Sequence, residues 1–204
     1  SFLFESAVGG EKPGRYSFLG TDPFLRFEAT GNSVTVTPKS GPKETFQHAD
    51  PLQALQERLA PLRAPHLPGM PRFLGGAVGY AGYDTVRWAE HLPDCPRDDR
   101  GIADLAFAFF DRMVVFDQIT KTILAVGHAR TDGDLKQRYA EACSQVDDLV
   151  ARLSAPAALP PVDIAALGDV VEDTSSTFTH DGFIAAVNKA KEYIQAGDIF
   201  QVVL

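Results

Sequence analysis

Between Leu105 and Ala129 three β-type runs follow one another with almost nothing between them. Leu105–Phe110, Arg112–Phe116 and Thr122–Ala129 are apolar, β-branched and aromatic, and Asp117–Lys121 supplies the turn between the last two. The first forty residues repeat the habit. Ser1–Phe4 is extended, glycines and prolines from Gly9 to Gly14 make a turn, and Tyr16–Leu19 returns. Phe24–Ala29 then alternates and pairs with Ser33–Thr37 across Thr30-Gly31-Asn32. Strands grouped in this way, with few helices between them, favour an α+β fold of antiparallel sheets over an alternating βαβ pattern.

Three helices are expected. Asp50 followed by Pro51 is a cap and a first-turn proline, and Leu52, Leu55 and Leu59 give the helix one apolar face until Pro61 ends it. Leu135, Tyr139, Ala142, Val146, Leu149 and Leu153 mark an amphipathic helix of about 18 residues. Phe183, Val187, Ala190 and Ile194 mark the third, with Thr179 as cap, Asp181 in the first turn and Gly197 as the stop. After it, Ile199–Leu204 is β-branched and aromatic and is expected to be a buried strand, with the polar Gln201 in its middle. Residues 154–176, with Pro156, Pro160 and Pro161 and no periodicity, form a linker. Residues 1–153 are therefore expected to be one unit, and 177–204 the start of another. Ser1 lies inside a strand and Leu204 inside an apolar run, so both ends look like cuts.

The chain has 204 residues and a net charge of −8. That charge argues against nucleic acid and anionic membrane as partners. No run approaches the ~18 apolar residues of a membrane span, and no basic segment opens a signal peptide. Cys95 and Cys143 sit in no metal-ligand pattern and fit two free thiols in a reducing cytoplasm. The five histidines show no paired spacing, and no metal site is expected in the chain.

Arg72–Tyr83 is a strand-like run, and the segment GGAVGYAGYD, from Gly75 to Asp84, is rich in glycine. It lacks the lysine and Ser/Thr of a phosphate loop, and no helix start is evident after it. Its glycines are expected to let a neighbouring backbone come close.

Three stretches carry a family resemblance: FLFESAVGGEKPGRYSFLG, FLGGAVGYAGYDTVRWAEHLP and AKEYIQAGDIFQVVL. Together they resemble component I of anthranilate synthase, a chorismate-using enzyme, over nearly all of the chain outside the linker. Phe200 and Val202-Val203 look more like this branch than like aminodeoxychorismate synthase, the related enzyme of the folate pathway. The resemblance implies the family's α+β fold, here truncated. Residues 1–153 would be its N-terminal regulatory domain and 177–204 the start of its chorismate-binding catalytic domain.

It also implies a chemistry: chorismate and ammonia are converted to anthranilate and pyruvate with Mg²⁺, whose ligands would lie outside this chain. Ammonia would come from a glutamine amidotransferase subunit, component II. L-Tryptophan would act as feedback inhibitor in a pocket that includes Leu3, Glu5 and Ser6, with Arg15 approaching it. Such a ligand needs an acceptor for its ammonium, polar donors for its carboxylate and an apolar wall for its indole. Gln201 stands where water-adding relatives of the family carry a lysine base. An amide cannot act as that base, and ammonia does not need one. Gln201 is equally a hydrogen-bonded polar residue in a sheet. A non-catalytic tryptophan-binding module is the reading from another functional class.

Overall fold

The computed structural model describes residues 1–5, 14–95, 97–156 and 175–204. It divides into two units, Ser1–Ala157 and Ala158–Leu204.

The described part of the first unit holds two antiparallel sheets. One has four strands in the order β1 (Phe2–Phe4), β2 (Tyr16–Gly20), β8 (Arg112–Asp117), β9 (Thr122–Gly127). The other has five, in the order β5 (Glu44–Gln47), β4 (Ser33–Pro38), β3 (Leu25–Thr30), β7 (Leu105–Phe110), β6 (Gly76–Ala81). The chain passes from the second sheet to the first at Asp111, the single residue between β7 and β8.

In the five-stranded sheet, Phe27, Ala29, Val34, Val36, Leu105 and Phe109 are buried together. The register explains why. Phe27 stands opposite both Val36 and Phe107, and Ala29 opposite both Val34 and Leu105, so one face of three strands is apolar. Helix α1 (Pro51–Leu59) closes that face with Ala54 and Leu55. Asp50 caps it, accepting from the Leu52 and Gln53 amides at 3.0 and 3.1 Å. Helix α2 (Leu135–Ser154) packs on β8 and β9 and buries Ala142 and Leu149. Leu135 and Tyr139, expected on the same apolar stripe, stay 59% and 67% exposed.

The expected strand over Arg72–Tyr83 is shorter, and β5 was not anticipated: Glu44–Gln47 is a short, polar edge strand, too brief to show alternation. A 3₁₀ turn, Tyr83–Trp88, follows the glycine-rich strand directly, where no helix start was expected. The residue before it, Gly82, offers no side-chain cap, so the usual sequence signal is absent. Gly79 does what was expected of these glycines. A Cβ there would overlap the Ala106 carbonyl and lie 2.6 Å from the Phe107 Cα.

In the second unit, helix α3 (His180–Ala196) begins at Thr179, whose hydroxyl accepts from the Gly182 amide at 3.1 Å. It ends in a Schellman turn: Gly197 takes φ of 83°, its N–H reaches the Ile194 carbonyl, and Asp198 N–H reaches that of Tyr193. None of the α3 residues is buried. The expected strand over Ile199–Leu204 is not formed. Those residues are irregular, and Phe200 and Val203 are 92% and 87% exposed. A strand needs a partner for its backbone groups, and among the described residues none pairs with this segment.

Candidate functional site

A cleft of about 500 Å³ opens in the first unit where the edge strands of the two sheets approach. Phe4, Glu5, Tyr16 and Phe18 form one wall, from β1 and β2. Ala77, Val78 and Gly79 of β6, with Phe107 of β7, form the other. Phe73 joins them.

The rings are locked together. Phe73 packs edge-on to Phe18 at 5.4 Å between centroids and tilts against Phe2 at 6.1 Å. Phe2 in turn meets Phe4 at 5.1 Å and Phe110 at 4.8 Å, and Tyr16 meets Phe18 at 6.0 Å. Such offset and edge-on pairs are favourable beyond the area they bury. They make an aromatic surface, and Glu5 adds a carboxylate to the cleft lining. The missing side chain of Gly79 lets β6 approach the backbone of its neighbour β7 closely. Chemically the cleft suits a flat apolar body that carries a cationic group.

The residues expected at an effector site fall differently in the structure. Glu5 lines the cleft. Ser6 lies outside the described residues. Leu3 alternates with Phe4 along β1, is 54% exposed and is not part of the cleft lining. Arg15 is held by Asp117: its Nε and Nη2 donate to Asp117 Oδ2 at 3.1 and 2.9 Å. The carboxylate also accepts, through Oδ1, from the Ile119 and Thr120 amides at 2.9 and 3.2 Å. These donors, the Arg15 bond foremost, hold the Asp117 carboxyl well below the usual carboxylate range, and the same bond raises Arg15. Gln201 belongs to the irregular end of the second unit and is exposed.

Sequence reasoning missed Tyr16, Phe18, Phe73 and Phe107 as parts of one site. Tyr16, Phe18 and Phe107 sit in runs correctly seen as strands, whereas Phe73, expected within the strand over Arg72–Tyr83, precedes β6; no local signal says that these separate segments share a cleft. Among the described residues no group of three or more His, Cys, Asp or Glu is placed to hold a metal ion. Nor is any described helix long and apolar enough to cross a membrane.

With fold and cleft established, comparison with known proteins defines the class. Residues 2–204 match the family of chorismate binding enzymes, and the chain belongs to that family. Within it, relatives of this chain include components of anthranilate synthase. The chain is 38% identical to anthranilate synthase component 1 of Synechocystis over 216 residues and 33% identical to that of Acetivibrio thermocellus over 207, in each case covering all of this chain and 42% of the relative. It is 34% identical to the chloroplastic anthranilate synthase alpha subunit 2 of Arabidopsis thaliana over 223 residues, all of this chain and 35% of that one. The crystal structure of anthranilate synthase component I from Streptococcus pneumoniae superposes with a TM-score of 0.69 at 22% identity, over 94% of this chain and 41% of that chain. The sheets and helices described above are thus the fold of part of a component I chain. The chain spans about two fifths of the length of the curated relatives it matches.

Proposed function

We propose that this chain is the N-terminal part of an anthranilate synthase component I, and that its cleft binds L-tryptophan as a feedback inhibitor. The whole protein would convert chorismate and ammonia to anthranilate, pyruvate and water: amination at C2 of the ring, then elimination of pyruvate. Its ammonia would come from a glutamine amidotransferase subunit, and Mg²⁺ would be held by residues outside this chain. The observation that carries the regulatory reading is the cleft itself, an aromatic surface with Glu5 in its lining. Glu5 would accept from the ligand's ammonium, the rings of Phe18 and Phe73 would face the indole, and Ser6 would donate to the carboxylate. Leu3 and Arg15 would support the two strands that carry these groups. Residues 1–153 would form the regulatory domain and 177–204 the entry to the catalytic one, with Gln201 standing where a water-activating base is not required.

Two measurements test this. The 204-residue chain, given chorismate, ammonium and Mg²⁺, should form no fluorescent anthranilate, and clear turnover would refute the assignment of catalysis to the remainder. The complete protein should form anthranilate and be inhibited by L-tryptophan. Formation of the 4-amino isomer would instead make it an aminodeoxychorismate synthase. Tight tryptophan binding by the isolated chain, with no activity in the complete protein, would favour a non-catalytic sensor.

A further inference from the structure

Arg15 directly precedes Tyr16, a residue of the cleft lining, and its guanidinium is engaged by a neighbouring carboxylate. Two of its nitrogens donate to one oxygen of Asp117, and its backbone carbonyl accepts from the Gln118 amide at 2.7 Å. The Asp117 side chain is only 7% exposed. Pulling Arg15 away would leave a largely buried carboxylate without its cation, which is costly. The guanidinium carbon meanwhile lies 4.8 Å from the centroid of the Tyr16 ring, a cation–π contact. Tyr16 lines the cleft. A continuous series of contacts therefore runs from the β8–β9 turn, through Asp117 and Arg15, to the cleft wall.

We propose that Arg15 and Asp117 are positioning residues of the cleft: their ion pair fixes the Tyr16 ring as a rigid wall for an aromatic amino-acid ligand, and Arg15 does not itself take the ligand's carboxylate. The proposal rests on the reading of the cleft as an effector site. A wall already fixed spares the ligand the cost of ordering it. The pair also ties the first strand after the β1–β2 connection to the centre of its sheet, so the brace acts where the cleft wall begins.

The test is L-tryptophan binding to the complete protein by calorimetry, alongside kcat and KM for chorismate with ammonium. Arg15→Gln and Asp117→Asn should each weaken binding by about tenfold, and the double variant should be no weaker than either single one, since both remove the same brace. Asp117→Asn keeps an oxygen for the Ile119 and Thr120 amides, so the turn is preserved. Values of kcat and KM for chorismate should not move. In a Tyr16→Leu background, Arg15→Gln should have no further effect on binding. If Arg15→Gln weakens binding while Asp117→Asn leaves it within about twofold, Arg15 touches the ligand and the proposal is overturned. It is overturned too if neither substitution matters. Should Asp117→Asn fail to fold, Arg15→Lys decides: it keeps the charge but not the planar double donor, so binding should remain weak, and full recovery would overturn the proposal. An unmodified protein that does not bind tryptophan removes the effector reading itself, and this proposal with it.

Discussion

Asp117 is ionised at neutral pH and surrounded by donors: Arg15 on one oxygen, two turn amides on the other. Its carboxyl is depressed in the folded protein, whereas an unfolded aspartate titrates near its ordinary value of about 3.9. The sign follows from linkage. The native state holds its proton less readily, so the stabilisation is fully present above that ordinary value and is lost as pH falls through the folded one. Urea midpoints measured from pH 6 downward should therefore fall in the acid range, and Asp117→Asn should be less stable at pH 6 and fall less steeply. Equal slopes would show that Asp117 is not the titrating group. Gly79 gives a second residue-scale expectation. In Gly79→Val the new atoms would meet backbone of β7 rather than a flexible side chain. Overpacking of this kind costs about 1–3 kcal/mol, and a melting curve identical to that of the unmodified protein would show that β6 does not lie as close as described.

Among the elements, the helices were the most legible in sequence, because their boundaries are set by local chemistry. Asp50-Pro51 and the Thr179–Gly197 pair mark ends that the structure shows. Removing the α1 cap with Asp50→Ala should cost about 1 kcal/mol, read as a lower urea midpoint with an unchanged m-value. A change of m would mean that the whole element had detached. The strands of the two hairpins were legible for a related reason: alternation and turn residues act over a few positions. Where the deciding partner is distant, sequence reading did less well. β5 exists because Val34 and Ser33 offer it an edge. Ile199–Leu204 has strand composition but no partner to make it one among the described residues. Composition supplies a preference, whereas pairing supplies the hydrogen bonds.

At the scale of the whole molecule, stability in the first unit centres on the face shared by β3, β4 and β7 under α1. Phe27 is fully buried there, and Phe27→Ala should cost about 3–5 kcal/mol. Loss of stability confined to α1, with the sheet intact by hydrogen exchange, would contradict a single cooperative core. The cleft borders this face through Ala77 and Phe107, which line it and also pack against the buried core. The sequence by itself determined the antiparallel α+β class, the helix boundaries, the backbone-contact role of the glycine-rich strand and the family, because each rests on short-range patterns or on motifs. Only the tertiary structure decided that Phe4, Phe18, Phe73 and Phe107 line one cleft and that the Arg15 guanidinium pairs with Asp117. Those outcomes depend on which distant segments meet, and burial and charge pairing are settled only when they do.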